Sequence, residues 1–389
     1  MDLRNLPEQL SGFQRVNQRR TLIEQELKAD LRHTAPDERV IGEAEKKNCE
    51  QMFGVVALPV GYAGPLPVTF SNGEKSTLHL PLATTEGALI ASANRGCKAI
   101  AASGSAMITQ SKHHGISRSI AFRAGSASGV QELVDFIRGK ETEWKNVAEA
   151  TSGHLKILGY ELDLQKQYVF LTIRADTDEA MGMNMVTIAA EAVARCVTDA
   201  VKSAKCITVA GNVDSDKKPS KRTHERGRGY EVRASVTMTA DTIASILKSD
   251  AKSMLAVAKA KLDAGSDIAG AIGKNLHAAN IVAALYLATG QDAAHVVEGS
   301  LADTTVEESG DGLKISVRLP AILVGIRGGG TALPSQNDCL KLLIGKRTGA
   351  DGKRWLAESI AAAVLAGEIS LLAAQASGQL GTAHATLGR

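Results

Sequence analysis

The spacing of apolar side chains predicts most of the helices. Residues 7–45 are charged, yet an apolar stripe at helical spacing runs through them, formed by Leu22, Ile23, Leu27 and Leu31. We therefore expect an N-terminal helical segment that docks on the rest of the chain. Residues 84–104 give a second helical pattern, in which Thr85 would cap the helix and Glu86 would lie in its first turn.

Two longer helical patterns follow. One covers about residues 180–204 and keeps an apolar face of Met181, Met185, Ile188, Ala192, Cys196 and Ala200. The other runs through the C-terminal region from about Lys353. The chain contains no uninterrupted apolar run of the ~18 residues that a membrane-spanning helix needs, so we expect a soluble protein.

Strand patterns alternate with these helices. The segment 55–68 is apolar but broken by Pro and Gly, which predicts extended strands joined by tight turns. Strand-like runs at 167–175 and 206–211 flank the helix of 180–204, and this βαβ-like alternation indicates a smaller inserted domain. Further strands are expected at 230–239 and 314–325. A chain of 389 residues without a low-complexity linker is expected to form more than one domain, packed together.

Composition and charge exclude several classes of protein. The 45 basic and 42 acidic residues leave a net charge of +3, so we expect neither nucleic acid nor a membrane as a partner. The five cysteines are odd in number, widely spaced and free of any CxxC pair, which argues against a disulfide framework or a zinc site. The N-terminus lacks the apolar core of a signal peptide. We expect a cytoplasmic protein without a bound metal.

The segment 211–220, GNVDSDKKPS, ends a strand-like run with a turn that carries Asp216, Lys217 and Lys218 ahead of a proline. Taken alone, such a run is most often a solvated turn. TTEG at 84–87 is likewise an ordinary helix cap when taken alone. A helix start favours the ionised form of Glu86, so a role as proton donor requires a dry site or a partner that binds the protonated form.

Two glycine-containing segments could approach a ligand. DEAMGMNM at 178–185 places small residues and Asn184 where a strand ends and a helix begins, a position at which free N–H groups can hold a diphosphate. Met181 and Met185 lie on the apolar face and would fill core. RGGGTALPSQ at 327–336 offers glycines that a ligand could approach closely. No GxGxxG fingerprint is present, so a Rossmann domain is not expected.

Histidines and their neighbours complete the candidate chemistry. His277 and Asn280 share one face of a helix, and Asp292 lies beyond its far end. As a bare pattern this is an ordinary capped helix. His384 near the C-terminus could titrate near neutral pH, although a lone terminal histidine is usually a surface residue.

The order of the motifs decides between these interpretations. PVGYAGPL, TTEGALIAS, EAMGMNM, GNVDSDKKPS, HAANIV, GQDAA, GGGTALPSQ and GEISLLAA follow one another between residues 59 and 374, and a His-containing run ends the chain. From about residue 40 to the end, the sequence resembles the 3-hydroxy-3-methylglutaryl-CoA (HMG-CoA) reductase family, in the form whose catalytic lysine lies in a DKKP loop. The resemblance implies a two-step reduction of HMG-CoA to mevalonate and CoA with two NAD(P)H, in isoprenoid biosynthesis.

The resemblance also implies the active-site residues. The catalytic residues would be Glu86, Lys217, Asp292 and His384. Contacts to the hydroxymethylglutaryl group, or to groups beside it, would come from Arg118, Asp216, Lys218, Lys261, His277 and Asn280. The nicotinamide cofactor would lie against Glu179, Met181, Gly182, Met183, Asn184, Asn212, Gly328, Gly329 and Gly330.

Each catalytic residue has an implied role. Lys217 would stabilise the oxygen that becomes anionic as hydride arrives. His384, as imidazolium, would protonate the departing CoA thiolate, and Glu86 would donate a proton to the aldehyde oxygen in the second reduction. Asp292 would hold Lys217 and Glu86 in one hydrogen-bonded network.

The implied fold is α+β, with a large α/β domain and an inserted small ferredoxin-like domain that binds the cofactor. We expect an N-terminal helical segment at 1–45, the large domain at 46–118 and 220–389, the insert at 119–209 and the catalytic loop at 210–219. The family forms a homodimer or a dimer of dimers, so the resemblance implies an active site at a subunit interface, with the DKKP loop crossing over.

The sequence departs from the family pattern in places. Glu179 stands where the family usually has Asp, and Ala210 where a serine is frequent. Glu143 in KETEWKN stands where NADPH-using relatives have an arginine, and a carboxylate there would repel a 2′-phosphate. Lys145 and Arg389 could meet that phosphate instead, so we expect NADPH and keep NADH open.

Two alternatives remain at this point. The enzyme could run in the catabolic direction, oxidising mevalonate to HMG-CoA with NAD. The chain could also be a non-catalytic CoA-binding relative that kept the fold. The joint presence of all four catalytic residues argues against the second alternative, because a binding module has no need of them.

Overall fold

The computed structural model describes residues 2–378, in which helices and strands are mixed along the chain. The strands of this part, β1 to β9 in chain order, are Val60–Thr69, Lys75–Ala83, Met107–Ala124, Lys156–Gln165, Tyr168–Asp176, Ala204–Thr208, Gly229–Met238, Asp303–Ser309 and Gly312–Ile322. Its α-helices, α1 to α15, are Gly12–Leu27, Glu38–Ile41, Ala44–Lys47, Leu89–Ala102, Ala127–Gly139, Glu141–Glu149, Met183–Ala200, Lys221–Arg226, Ala240–Thr242, Ala251–Ala258, Ser266–Ala269, Ala278–Ala288, Val296–Gly299, Pro334–Ile344 and Gly349–Ala376. Short 3-10 turns lie at Arg32–Thr34, Ala293–His295 and Gly329–Ala332, and π-helical segments at Ile243–Leu247 and Lys259–Gly265. The expected α+β class is confirmed.

Strand β3 belongs to two groups of paired strands. Its first part pairs with β1 and β7 within the order β2-β1-β3-β7-β9-β8, and its second part pairs with β5 and β6. The change of partners falls at Gly115, whose φ is +76°. A Cβ at this position would lie 2.7 Å from the carbonyl oxygen of Ala175, so only glycine fits there.

The second group of strands surrounds its own core. The chain passes through β3, α5, α6, β4, β5, α7 and β6, and the strands pair antiparallel in the order β4-β5-β3-β6. This β-α-β-β-α-β winding is the one that a ferredoxin-like unit has. Because β3 runs unbroken through residue 118, the boundaries 119–209 stay a prediction.

The apolar face predicted for helix α7 is only in part the face that packs. Its buried positions include Met183, Val186, Ala190, Val193 and Val197. Met185 and Cys196 of the predicted face pack against the core, but Ile188 is 56% exposed, so the prediction is wrong at Ile188. Apolar residues occupy more than one side of this helix, and the 3.6-residue period alone could not tell which side packs on the sheet.

The C-terminal helix α15 forms the centre of the large core. It is long and apolar enough to cross a membrane, but 94% of its apolar window lies buried inside the protein, which makes it a core helix. Helix α4 crosses it closely, because a Cβ at Gly96 would lie 1.9 Å from the carbonyl oxygen of Ala366. Close approach of small residues lets the two helices share the core.

The N-terminal segment packs through a buried ion pair as well as apolar contacts. Val16 lies against a small cluster that contains Ile41 and Met52. Arg19 is 5% exposed, and its guanidinium lies 3.0 Å from the Glu45 carboxylate. The predicted apolar stripe does not pack at Leu27, the last residue of this helix, which is 64% exposed.

Candidate active site

The loop that carries Lys217 is held in an unusual backbone conformation. Asn212, Ser215 and Lys217 have positive φ angles of 69°, 54° and 57°. This left-handed region is uncommon for residues other than glycine and is kept only where surrounding contacts enforce it. One such contact is the hydrogen bond that the Lys217 N–H donates to Glu298 Oε1 at 2.7 Å.

The Lys217 ammonium points to Asp292. Its Nζ lies 2.8 Å from Asp292 Oδ2, and both side chains are partly exposed. Asp292 caps the turn Ala293–His295 and accepts a hydrogen bond from the Ala294 N–H at 3.1 Å. Partial burial alone would raise the pKa of Asp292, but the hydrogen bonds from Lys217 and Ala294 lower it below its usual value. The carboxylate is therefore ionised at neutral pH and keeps Lys217 in an ion pair within one chain.

Beneath this pair lies a buried ionic cluster. Arg228 donates to Glu298 Oε1 at 2.7 Å and to Asp216 Oδ1 at 3.1 Å, and its side chain is 2% exposed. Arg118 Nη1 lies 3.4 Å from Asp216 Oδ2 and 3.6 Å from Asp214 Oδ2. Burial raises the pKa of Asp214, although both arginines act in the opposite direction. The two guanidinium groups fix the acidic part of the loop below Lys217.

A cleft of about 790 Å³ opens beside the Lys217–Asp292 pair. Both side chains line it, together with residues 180–185 and 327–331. Thr151 and Ser152, which follow α6, also line it. The cleft thus brings the DKKP loop, the EAMGMNM turn and the glycine triplet to one place.

The EAMGMNM turn presents the start of α7 to the cleft. Gly182 precedes the helix with φ +96°, and a Cβ there would lie 2.3 Å from Thr177, so the sharp turn requires glycine. First-turn N–H groups have no intrahelical partner, and within residues 2–378 no side chain caps this helix start. Met181 and Met185 pack against the small core, but they are only partly buried and also line the cleft, whereas Met183 is 8% exposed.

Glu179 and Lys353 tie the turn to the large core. Glu179 Oε1 accepts a hydrogen bond from the Gly349 N–H at 2.8 Å, and Oε2 lies 3.3 Å from Arg327 Nη1. The Lys353 ammonium donates to the Ala180 carbonyl at 3.1 Å. Burial lowers the pKa of Lys353 despite the nearby Asp176 carboxylate. Glu179 itself holds the turn and is not part of the cleft lining.

The glycine triplet packs on the segment that carries Asp292. A Cβ at Gly290 would lie 2.3 Å from the Gly330 carbonyl oxygen, so the two backbones touch. Gly328 and Gly329 have positive φ angles, and a Cβ at either would meet no atom within 4 Å. Their outer sides therefore face open space in the cleft.

Several predicted substrate residues lie elsewhere. His277 and Asn280 lie at the start of α12, whereas Asp292 follows its end, and eleven residues of helix rise roughly 16 Å. The backbone N–H of His277 donates to the buried carboxylate of Glu368 at 2.8 Å. Lys261 is exposed on the segment Lys259–Gly265. The structure does not bring these three to Lys217 within one chain.

Glu86 lies on a loop and not in a helix. The prediction that Thr85 caps a helix with Glu86 in its first turn is wrong, because α4 begins at Leu89 after Ala88. Glu86 lies exposed on the preceding loop, where its N–H donates to Thr84 Oγ1 at 3.0 Å. Among residues 2–378, no hydrogen bond joins it to Lys217 or Asp292.

Two further predicted residues lie on the loop itself. Lys218 is exposed and donates to the Asp216 carbonyl at 3.0 Å, and Asn212 is exposed where the loop begins. His384 lies outside the described residues.

Sequence reasoning missed Glu298, Arg228, Lys353 and His295. The spacing of three between His295 and Glu298 would place them on one face of a helix, and this was the available signal. Arg228 and Lys353 gave no such signal, because the contacts of Arg228 with Glu298 and of Lys353 with Ala180 join segments far apart in the sequence.

The fold is similar to that of known enzymes. A solved structure of 3-hydroxy-3-methylglutaryl-coenzyme A reductase of Streptococcus pneumoniae matches with a TM-score of 0.69 and 19% identity, covering 92% of this chain and 96% of that one. A structure of the class II enzyme from the same organism, bound to NADPH in open conformations, matches with a TM-score of 0.68, 19% identity and the same coverage.

Sequence comparisons extend this likeness. The family description hydroxymethylglutaryl-coenzyme A reductase matches residues 15–389. The 3-hydroxy-3-methylglutaryl-coenzyme A reductase of Methanocaldococcus jannaschii is 40% identical over 386 residues, covering 95% of this chain and 92% of the relative. That of Haloferax volcanii is 41% identical over 377 residues, with the same coverage. The chain belongs to the hydroxymethylglutaryl-coenzyme A reductase family.

Proposed function

We propose that this protein reduces HMG-CoA to mevalonate and free CoA, consuming two NAD(P)H and two protons, in isoprenoid biosynthesis. The observation that carries the proposal is the Lys217–Asp292 ion pair of 2.8 Å, which lines the same cleft as the EAMGMNM turn and the glycine triplet. A cation beside a cofactor-sized cleft is the arrangement that reduction of a thioester carbonyl needs.

The cleft suits a dinucleotide. The uncapped start of α7 offers backbone N–H groups to a diphosphate, and Gly328 and Gly329 leave room for close approach. Met181, Gly182, Met183, Asn184 and the glycine triplet would hold the cofactor, while Glu179 keeps their turn in place. Bound NAD(P)H supplies the hydride.

Lys217 stabilises the substrate oxygen that becomes anionic as hydride arrives. An ammonium fixed beforehand by Asp292 needs no rearrangement when this charge develops, and such electrostatic stabilisation is usually the largest single contribution to catalysis. Asp292 also connects Lys217 to the turn Ala293–His295, which it caps, and this contact defines where the charge lies.

Protons come from other groups. His384 protonates the departing CoA thiolate, and Glu86 donates a proton to the aldehyde oxygen in the second reduction. The exposed position of Glu86 in one chain means that a substrate or a second subunit must exclude water from it before it can act as an acid.

The carboxylate of the hydroxymethylglutaryl group binds next to Lys217. Lys218 is exposed beside it and can form a charge-assisted hydrogen bond. Arg118 and Asp216 bind each other in the cluster below, so in our proposal they mainly hold the loop in shape. Asn212 begins this loop and would contact the cofactor from its edge.

We further propose a homodimer, or a dimer of dimers, whose second subunit supplies His277, Asn280 and Lys261. Exposed apolar side chains support this, since Val56 is 84% exposed and Val60 is 55% exposed. Both line a second pocket together with Leu287 and Leu333, and these two leucines also line the cleft. Exposed apolar surface next to a site is typical of an interface. We place the protein in the cytoplasm.

The first experiment measures loss of reduced-cofactor absorbance with purified protein, HMG-CoA and either NADPH or NADH. We expect HMG-CoA-dependent oxidation of two cofactor molecules per mevalonate formed, faster with NADPH. Faster reaction with NADH would favour the catabolic direction. A folded protein that binds CoA esters but oxidises neither cofactor would refute the proposal in favour of a non-catalytic relative.

A further inference from the structure

His295 lies buried between the two carboxylates that hold Lys217. Its side chain is fully buried, Nδ1 lies 3.3 Å from Glu298 Oε2, and Nε2 lies 3.7 Å from Asp292 Oδ2. Asp292 holds the Lys217 ammonium, and Glu298 holds the Lys217 backbone N–H. The imidazole is therefore in reach of both groups that fix this lysine.

The two ring nitrogens each face a carboxylate. An ionised carboxylate only accepts hydrogen bonds, so the ring can bind Glu298 through a proton on Nδ1 and Asp292 only through a proton on Nε2. Nε2 faces Asp292 and, at 4.0 Å, Asp216 Oδ1. Among residues 2–378 this buried atom has no hydrogen-bond partner. A buried polar atom without a partner is rare and calls for an explanation.

A bound metal ion does not explain the unpartnered Nε2 atom of His295. One ligand atom each of Asp216, His295 and Glu298 lies within 4.8 Å of the others. However, Arg228 already donates to Glu298 at 2.7 Å and to Asp216 at 3.1 Å. The guanidinium supplies the positive charge that a metal would bring, so the ring must serve another purpose.

We propose that His295 is a positioning residue, which fixes Asp292 relative to Glu298 and so fixes the Lys217 ammonium in the cleft. This inference rests on the proposed function, because it concerns the lysine that stabilises the reacting oxygen. The left-handed conformation of Lys217 gives the reason for such support, since a strained residue stays in place only while its contacts hold.

The first test compares two substitutions of His295 that differ in side-chain length. His295→Asn keeps a polar group but is too short to span both carboxylates, whereas His295→Gln is longer by one methylene. We expect His295→Asn to lower kcat for HMG-CoA reduction about tenfold to a hundredfold with KM for HMG-CoA changed less than threefold, because an interaction made in the transition state is lost. We expect His295→Gln to keep at least a third of wild-type kcat.

The matched control is His114→Asn. His114 Nε2 lies 3.3 Å from the Glu231 carboxylate, the same separation as in the His295–Glu298 contact, but it lies on β3 outside the cleft lining. We expect its kcat to stay within twofold of wild type. Equal losses at both histidines, equal losses in Asn and Gln, or a loss confined to KM would overturn the proposal.

A second readout needs no turnover. Limited acetylation with acetic anhydride, quantified at Lys217 by mass spectrometry, reports how well Asp292 holds the ammonium. We expect at least threefold faster acetylation of Lys217 in His295→Asn, and no further increase when His295→Asn is added to Asp292→Asn. The same increase in both backgrounds would refute an action through Asp292. If the wild type shows no HMG-CoA-dependent oxidation, the proposed function fails, and the acetylation result still decides whether His295 positions Lys217.

Discussion

The two ends of helix α12 differ in whether the predicted active-site residues there meet within one chain. Past its C-terminal end, Asp292 binds Lys217 of the same chain and both line the cleft. At its N-terminal end, His277 and Asn280 are held by backbone contacts but meet no other predicted substrate residue of the chain among residues 2–378. The C-terminal end thus brings two of the proposed catalytic residues together within one chain. In the proposed dimer, a second subunit would complete the site at the N-terminal end.

The largest expected effect tests the C-terminal end of α12. Lys217→Ala should lower kcat for HMG-CoA reduction about a thousandfold, because the charge that stabilises the developing oxyanion is lost. The thermal unfolding midpoint should stay close to wild type, since Lys217 is partly exposed. Steady-state kinetics and circular dichroism check both points.

Its control is Lys221→Ala, an exposed lysine on α8 soon after the loop. That variant should keep wild-type turnover. If kcat of Lys217→Ala were within tenfold of the wild-type value, the DKKP loop would have no part in the chemistry. The two ends of α12 would then not differ in this respect.

Subunit mixing tests the N-terminal end of α12. Lys217→Ala is combined with a His277→Ala, Asn280→Ala double variant, and the two proteins are unfolded and refolded together. If the two groups meet across an interface, mixed dimers form about half of the population and each has one intact site, so about a quarter of wild-type kcat/KM should return. Each protein refolded alone is the control. No recovery, with mixed dimers shown by mass spectrometry, would place both groups in one chain's site.

A smaller effect is expected when Glu368, whose carboxylate binds the backbone of His277, is substituted. Glu368 accepts hydrogen bonds from the N–H groups of Leu276 and His277 at 2.8 Å each and from Thr304 Oγ1 at 2.6 Å. Glu368→Gln replaces one acceptor with a donor, which should cost about 1–3 kcal/mol of the free energy of unfolding. KM for HMG-CoA should rise severalfold, because the start of α12 loosens.

Glu358→Gln is the matched control for that change. Glu358 is equally buried and accepts hydrogen bonds from Thr109 Oγ1 at 2.5 Å and Ser111 Oγ at 2.6 Å, away from α12. The Glu358→Gln variant should lose free energy of unfolding without a change in KM for HMG-CoA. Denaturant titration and kinetics together separate the two cases, and an equal rise in KM would show that general loosening was responsible.

The smallest effect concerns cofactor choice. Glu143 lies on α6, about half exposed, with its carboxylate 3.7 Å from the Lys140 ammonium. Thr151 and Ser152, about two helical turns further on, line the cleft. Glu143→Arg should raise the preference for NADPH over NADH a fewfold, measured as the ratio of the two kcat/KM values. An unchanged ratio would show that the 2′-phosphate binds elsewhere.

Sequence reasoning was most accurate where the local pattern alone decides the structure. The strand predicted at 230–239 is found at Gly229–Met238, because strict alternation leaves few other choices. The start of α4 was wrong, since the left-handed Ala88 ends the preceding loop and no local signal marks it. The buried face of α7 was predicted only in part, because the choice between two apolar sides depends on the sheet it packs against.

The residues of the candidate site divide in the same way, into those that a local motif predicts and those that only the folded chain brings together. Lys217 and Asp292 could be found because each lies in a recognisable motif. Arg228 and Glu298, which hold the loop from below, could not, because their contacts join segments about seventy residues apart. Burial and pairing of charges over such a distance emerge only when the chain is folded.

The shared strand β3 has a practical consequence for protein engineering. A separate small unit cut out at residue 119 would begin inside a strand, leaving hydrogen-bonding edges exposed on both fragments, and such edges promote aggregation. Exchange of this unit between relatives should instead keep Met107–Ala124 intact and place one junction in the segment before it. The other junction belongs after β6, ahead of the DKKP loop, so that a chimera receives both strand partners together.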